Sequence, residues 1–238
     1  MSPDVAAFPA ELTALVPNGE ATPVDYGYVC VNYDVGWFAN GDVPVPTSLA
    51  ELAEPAYDSL LVVQNPATSS PGLAFLMATI AEFGDGWQDY WQQLVANDVE
   101  VVDGWTQAYY ESFSAAGGGT RPLVVSYGSS PPAGVIYGDP ETGAIGSTCF
   151  RQVEFAGILR GTEHGDEARQ LVDFLAGETF QAELALNLFV YPANPAVEFP
   201  REFVEAAVIP DDPYQLDPAT IDADRATWID EWTELVIG

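Results

Sequence analysis

Residues 60–73 read LLVVQNPATSSPGL and lead from an apolar run into the start of a helix. An apolar run bounded by turn-forming residues predicts a buried strand. Ser69 or Ser70 can cap the helix that follows, and Pro71 suits its first turn. A helix N-terminus offers unpaired N–H groups and partial positive charge, so this junction could hold an anion. Most such sequences are plain helix caps, and the pattern alone leaves both interpretations open.

Strand and helix patterns alternate along the rest of the chain and predict an α/β fold. Strands are expected at 26–33, 60–63, 99–102 and 123–127, with an extended stretch at 150–159. Helices are expected to begin at 48 and to cover 73–83, 86–96, 105–115, 166–176, 179–188 and 224–236. In the last helix, apolar residues recur at the spacing typical of core packing; they are Trp228, Trp232, Leu235 and Val236.

The charge balance is strongly acidic. The 238 residues include 36 Asp plus Glu against 6 Arg and no Lys, so the formal net charge is 6 − 36 = −30. Self-repulsion of this size is costly in dilute buffer, whereas at about 1 M salt the screening length falls to about 3 Å. The composition therefore favours a halophilic source with an acidic surface over an ordinary acidic protein. Binding to nucleic acid is not expected, because the chain has no basic patch.

The two cysteines, Cys30 and Cys149, are far apart in sequence. No Cys-x-x-Cys or Cys/His cluster occurs, so no zinc site is predicted. The pair could form one disulfide in an exported protein or could be two small buried apolar residues, and the sequence leaves both open. Residues 1–15 have neither the basic nor the apolar part of a signal peptide, so an export signal is expected to have been removed or to lie upstream.

Aromatic residues recur in loops and at the ends of elements. Trp105 follows Gly104, Tyr127 precedes Gly128, and Phe189 and Tyr191 precede a proline. Aromatic faces attract a flat organic cation by about 0.5–2 kcal/mol each. Aromatic side chains also fill cores, so each residue alone has two interpretations.

Signals for catalysis are weak. The single histidine, His164, has no nucleophile in a recognisable motif, and Gly-x-Ser-x-Gly, P-loop and His-Glu-x-x-His sequences are absent. We therefore expect a binding protein without cofactor or metal. Tyr109 and Tyr110 are similar to the adjacent tyrosines that bind ferric iron in some periplasmic proteins, but neighbours in a helix point in different directions.

A set of segments, in order along the chain, resembles the bacterial and archaeal thiamine-binding periplasmic proteins. The segments are 25–28, 33–34, 65–73, 104–105, 108–109, 125–127, 129–131, 152–154, 191–192, 228–229 and 231–232. The resemblance implies a two-lobed clamp of the type II periplasmic binding protein class. Lobe one would comprise 1–58 and 149–238 with the hinge strands, and lobe two would comprise 59–148. The family has a longer segment before the equivalent of Asp25, so lobe one is expected to be incomplete.

The same resemblance implies ligand contacts. Ser69 would contact the phosphate or hydroxyethyl end of thiamine, and Trp105 and Tyr127 would be walls of its cage. Phe189 falls where the family has a tryptophan. The remaining expected ligand-binding residues are Ser70, Ser129 and Tyr191. A further cage tyrosine of the family falls near Ala133, which makes Tyr137 a candidate replacement.

The implied function is that of a monomeric extracytoplasmic solute-binding protein. It would capture thiamine or thiamine phosphates and deliver them to the permease subunits of an ABC importer. Alternatives are the same fold with ferric iron or a polyamine as ligand. A less favoured alternative is a thiamine-cleaving enzyme with Cys30 as nucleophile.

Overall fold

The computed structural model describes residues 5, 7–16, 18–138 and 141–238. Strands and helices alternate as expected, and the predicted α/β class is confirmed. The strands are β1 (Ala21–Asp34), β2 (Leu61–Gln64), β3 (Glu100–Val102), β4 (Leu123–Tyr127), β5 (Thr142–Gly157) and β6 (Tyr191–Pro192).

Short helices outnumber long ones. The helices are α1 (Ala10–Thr13), α2 (Val35–Asn40), α3 (Leu49–Leu52), α4 (Ser70–Phe83), α5 (Trp87–Ala96), α6 (Trp105–Gln107), α7 (Ser114–Gly117), α8 (Pro131–Tyr137), α9 (Gly165–Ala176), α10 (Glu178–Asn187), α11 (Arg201–Ala206) and α12 (Pro218–Val236). A π-helical turn, Ala108–Ser112, joins α6 to α7. Within the described ranges, each helix is too short or too polar to span a membrane.

The chain forms two compact units. Unit 1 consists of Met1–Gly27 and Gln152–Glu205, and unit 2 consists of Tyr28–Arg151 and Ala206–Gly238. Strands β1 and β5 each continue through a boundary between the units.

The predicted lobe boundaries at 58/59 and 148/149 stay a prediction. The compact units instead group 28–58 and 206–238 with the whole of the predicted second lobe, 59–148. The reason is packing, because the second half of β1 pairs with β4 and α12 packs against α5.

The sheet has a parallel centre. Among the described strands the order is β3-β2-β4-β1-β5, with β6 paired to the start of β1. Strand β2 is parallel to both β3 and β4, whereas β1 runs antiparallel to β4. Strand β2 is buried along its whole length, as expected for an apolar strand with neighbours on both sides.

Helix α12 belongs to the core of unit 2, as its spacing predicted. Trp232 is fully buried, and its ring meets that of Trp91 on α5 edge to face at 5.3 Å. Trp228, Leu235 and Val236 pack against the same core. The helix starts at residue 218 rather than 224, because Asp217 caps it by accepting from the N–H groups of Ala219 and Thr220.

Unit 1 has a smaller core. Tyr191 is fully buried and stacks on Tyr26 at 5.3 Å. The buried amide of Gln181 donates to Val24 O at 2.7 Å and accepts from Asn194 N at 3.0 Å. These bonds satisfy backbone groups that would be costly to leave unpaired in the interior.

The structure changes one further expectation in detail and decides one question that the sequence left open. The helix expected at 105–115 is interrupted, because its middle widens into the π-helical turn and Phe113 is extended. The two cysteines form a disulfide, with Cα atoms 4.1 Å apart, which decides between the two interpretations of Cys30 and Cys149.

Candidate functional site

The loops that follow β2, β3 and β4 meet at one edge of the sheet in unit 2. They must do so because the three strands are parallel and their carboxyl ends share an edge. Thr68, in the loop after β2, donates to the carbonyl oxygen of Asp103 in the loop after β3 at 2.7 Å. Loops at this edge of a parallel sheet are the usual place for a ligand in open α/β folds.

The loop after β2 leads directly into the N-terminus of α4. Ser69 is the N-cap, and its Oγ lies 3.5 Å from the donating N–H of Gly72. Gly72 is required for close approach, because a Cβ there would lie 2.3 Å from Gln64 O. The first turn of the 14-residue helix therefore lies directly against the end of β2, with its N–H groups and positive dipole end at the sheet edge.

A cavity of about 540 Å³ opens beside this helix end. The start of α4 contributes its N-cap Ser69 and its first residue Ser70, and α12 contributes Arg225 and Asp230. The lining residues are Pro66, Ala67, Thr68, Ser69, Ser70, Leu73, Arg225, Ala226, Ile229 and Asp230. Arg225 is one of only 6 basic side chains in the protein, so positive charge at this cavity is distinctive. Trp105 and Tyr127 are not among the lining residues.

Four aromatic rings form a second feature at the same edge, here called the aromatic cluster: Trp105, Tyr109, Tyr110 and Tyr127. Trp105 stacks on Tyr109 at 5.0 Å with an interplanar angle of 18°. Tyr110 meets Trp105 at 5.6 Å and 86°, and Tyr127 lies 6.5 Å from Trp105. The flat face of an aromatic ring is the part that attracts a cation.

Hydrogen bonds hold Trp105 against the end of β4. Its Nε1 donates to Ser126 Oγ at 2.8 Å, and Ser126 Oγ is 2.9 Å from Ser130 Oγ. Both serines are buried, so the indole N–H is satisfied inside the protein. An anchored indole loses little conformational freedom when a ligand stacks on it.

The structure brings together some of the sequence-predicted residues. Ser69, Ser70, Trp105 and Tyr127 all lie at the carboxyl edge of the parallel strands in unit 2. Ser129 belongs to the same edge but is fully buried.

The other two predicted residues belong to unit 1. Phe189 is half-buried and has a φ of 54°, a backbone conformation that is rare for an aromatic residue. Tyr191 has no exposed surface and is part of the unit 1 core. The ligand-binding roles of the predicted residues stay predictions.

Three residues of the site were not predicted from the sequence. Arg225 reaches the cavity only because α12 packs across unit 2. Ser126 acts through its bond to Trp105. Tyr110 was considered only as an iron ligand, and its contact with Trp105 depends on the π-helical turn. The sequence signal that could have pointed to Tyr110 was its position directly after Tyr109.

Unit 1 contains a group of polar side chains in which two oxygen atoms lack a hydrogen-bond donor among the described residues. Asp25 on β1 is only 5% exposed, and its Oδ1 has no hydrogen-bond partner among the described residues. Burial, followed by the charge of Glu154, raises the pKa of Asp25 to about 7. Gln152 donates to Glu154 at 3.3 Å, while its own Oε1 is also without a partner in the described chain.

No group of three or more His, Cys, Asp or Glu side chains suited to a metal ion occurs in the described part of the chain. The disulfide also removes the Cys30 thiol, so Cys30 is not the nucleophile of a thiamine-cleaving enzyme in this state.

A family model for the bacterial extracellular solute-binding proteins matches residues 2–211. The chain belongs to this bacterial extracellular solute-binding protein family.

Relatives of this solute-binding protein include thiamine-binding periplasmic proteins. It is 30% identical over 223 residues to the one from Escherichia coli (strain K12), covering 92% of this chain and 65% of the relative. It is 28% identical over 214 residues to the one from Brucella suis biovar 1 (strain 1330), covering 88% and 61%. The predicted resemblance is confirmed, and this chain spans less than two thirds of the length of these relatives.

Solved structures share the fold of this solute-binding protein. A periplasmic thiamin binding protein matches with a TM-score of 0.80 and 29% identity, covering 91% of this chain and 66% of the other. The ferric binding protein from Campylobacter jejuni matches with a TM-score of 0.78 and 15% identity, covering 99% and 76%. The second likeness shows the fold alone. The predicted periplasmic binding protein-like fold is confirmed.

Proposed function

We propose that this chain captures thiamine or a thiamine phosphate outside the cytoplasm and delivers it to an ABC importer without chemical change. The observation that carries the proposal is the anchored Trp105 beside Tyr127, at the same sheet edge as the N-terminus of α4. Support for the ligand class comes from the name of relatives 30% identical to this chain. The disulfide agrees with an oxidising, extracytoplasmic compartment.

The aromatic cluster suits the cationic thiazolium ring. Trp105 is half-buried, and its indole N–H is held by Ser126. Tyr109 stacks on one face of the indole ring, and the indole stays partly accessible. A net charge of −30 adds a negative potential that attracts a cation. Stacking, cation–π attraction and the overall field therefore act in the same direction.

The N-terminus of α4 suits the hydroxyethyl group or a phosphate ester. The dipole of a 14-residue helix and the guanidinium of Arg225 both favour an anion in the cavity next to Ser69 and Ser70. Asp230 on the same cavity opposes a doubly charged ester. We expect the balance to favour the monophosphate or the free alcohol over the diphosphate.

Calorimetric titration in about 2 M KCl tests the proposal on the 238-residue chain. Thiamine is expected to bind to the wild type, and Trp105→Ala is expected to weaken binding by about 10-fold or more through the lost stacking face. Trp37→Ala, at a tryptophan on α2 that is also partly exposed, serves as the matched control and is expected to bind normally. Absence of heat and of a thermal shift with thiamine and its phosphates would sink the proposal.

The helix end is tested with a second matched pair. Ser69→Ala and Ser48→Ala each remove an N-cap, with an expected loss of about 1 kcal/mol of stability. Only Ser69→Ala is expected to weaken thiamine monophosphate binding. Equal affinity of both variants for the monophosphate would show that the ester does not contact this helix end.

Ferric iron is the second candidate ligand, because Tyr109 and Tyr110 are adjacent and their ring centroids are 5.3 Å apart. Against iron, Tyr109 is 7% exposed, and the rings are inclined at 78°. A tyrosinate-to-iron colour that disappears in Tyr110→Phe would support iron. Spermidine in the same calorimeter tests the polyamine alternative.

A further inference from the structure

We propose that Tyr110 is a ligand-contacting, specificity-determining residue that forms a second wall beside Trp105 and selects flat cations over flexible ones. The inference rests on the proposed function and adds a residue that neither the resemblance nor the relatives assign. Four observations carry it: the π-helical turn, the glycines packed against that turn, the exposure of Tyr110, and the angle between the two rings.

The π-helical turn brings Tyr110 to Trp105. In a regular α-helix each residue turns by about 100°, so residue i+4 lies above residue i and residue i+5 points about 140° away. Here Phe113 N donates to Ala108 O at 2.9 Å, an i→i+5 bond that widens the helix. As a result both Tyr109 and Tyr110 contact Trp105, with centroid distances of 5.0 and 5.6 Å. π-Helical turns are frequently found at functional sites.

Glycines fix the backbone of this turn. A Cβ at Gly117 would lie 2.4 Å from Tyr110 O, and a Cβ at Gly119 would lie 2.1 Å from Ser112 O. Only glycine allows the following segment to approach so closely. Arg121 N also donates to Ser112 O at 3.0 Å. The direction of the Tyr110 side chain is therefore set by packing of the backbone.

The two tyrosines differ in exposure. Tyr109 is 7% exposed and supports one face of Trp105 from inside the protein, whereas Tyr110 is 53% exposed. Tyr110 stands nearly perpendicular to the indole, at 86°. A planar cation stacked on Trp105 would therefore meet the Tyr110 ring at its side, and a second aromatic contact would add to the attraction.

Two walls at a right angle discriminate by shape. A flat heteroaromatic cation can contact both rings at once, while a flexible polyamine satisfies a cation–π contact with either ring alone. Loss of Tyr110 is therefore expected to weaken thiamine binding more than polyamine binding, which lowers the ratio of the two affinities.

The experiment compares five proteins by calorimetry with thiamine and with spermidine: wild type, Tyr110→Ala, Tyr110→Leu, Tyr110→Phe and Phe174→Ala. The alanine and leucine variants are expected to weaken thiamine binding by about 3- to 30-fold. Tyr110→Phe keeps the ring and is expected to stay within about twofold of the wild type. Phe174→Ala is the matched control, because Phe174 is as exposed as Tyr110, at 53%, but lies on α9.

Tyr110→Leu keeps apolar bulk against the indole, so it remains informative if Tyr110→Ala lowers the melting temperature. Thiamine affinity unchanged in Tyr110→Leu, together with loss of binding in Trp105→Ala, would overturn the role of Tyr110 and leave the proposed function standing. A folded wild type that binds no thiamine or thiamine phosphate would overturn both. Equal losses for thiamine and spermidine would overturn the role in specificity.

Discussion

Asp25 shows how one buried carboxylate can couple stability to pH. Its side chain is 5% exposed, its Oδ1 has no partner among the described residues, and its pKa is raised to about 7 by burial and by Glu154. The unfolded chain has an ordinary carboxyl there, with a pKa near 4. The folded state therefore keeps a proton that the unfolded state has already released, and folding becomes less favourable as the pH rises from about 4 to 7.

Asp25→Asn removes this dependence, because the amide is neutral at all these pH values. Relative to wild type, the free energy of unfolding of the variant is expected to rise between pH 4 and 7, and the rise is on the order of 4 kcal/mol at pH 8. The gain should level off above pH 8, where wild-type Asp25 is ionised in both states. Chemical denaturation at pH 4, 6 and 8 measures it.

The control for this variant is Asp173→Asn on the exposed side of α9. It is expected to follow the wild-type pH profile. An Asp25→Asn profile that runs parallel to wild type from pH 4 to 8 would contradict the assignment of the proton to Asp25.

At the scale of elements, the junction between β2 and α4 is the feature on which the site depends. The helix start lies against the strand end, since Gly72 leaves no room for a side chain next to Gln64 O. The same contact places the first turn of α4 beside the cavity. Stability and the geometry of the candidate site are therefore linked at this glycine.

Gly72→Ala is expected to cost about 2–3 kcal/mol, because a methyl group would be forced against backbone that cannot move aside. The melting temperature should fall by about 5–10 °C in a chain of this size. Gly86→Ala is the matched control, since nothing lies within 4 Å of a Cβ at the N-cap of α5. Equal melting temperatures for the two variants would contradict this account.

Elements differed in how far the sequence could predict them. Strands β2 and β4 were predicted within a residue or two, because a short apolar run between turn-forming residues has few other structures open to it. The interruption of the helix at 105–115 was not predicted. Residue periodicity cannot distinguish an i→i+4 bond from an i→i+5 bond when the cause is glycine packing from a later segment.

Long-range contacts also limit how much of the site can be predicted from the sequence. The sequence could predict the helix cap at Ser69 and the positions of Trp105 and Tyr127, because each lies next to a strand that is itself predicted from local sequence. Arg225 joins the cavity across more than 150 residues of sequence, through packing of α12 that no local pattern contains.

At the scale of the whole molecule, the charge of −30 dominates behaviour in solution. The described part of the chain has four ion pairs. In three of them, formed by Arg169, by Arg201 and by one side of Arg121, the carboxylate is largely exposed. Most acidic groups therefore repel one another across the surface, and that repulsion is screened only by salt.

Raising KCl from 0.1 to 2 M at pH 7.5 is therefore expected to raise the melting temperature by about 5–10 °C, or roughly 2–3 kcal/mol. Calorimetric or fluorescence melting measures the shift. The same titration at pH 4, where about half of ordinary carboxylates are neutralised, should give a smaller shift. A melting temperature that is flat or falls with salt at pH 7.5 would rule out charge repulsion as the main cost.

The disulfide gives the two crossing strands a common covalent anchor. Cys30 lies two residues after the first position of the long segment Tyr28–Arg151, and Cys149 lies two residues before its last position. Both chain connections from that segment to unit 1 therefore start beside one crosslink. A proteolytic nick anywhere between them would leave both fragments tethered until a reductant is added. Unit 1 could lose its structure entirely while the ends of the strands that lead into it stayed together.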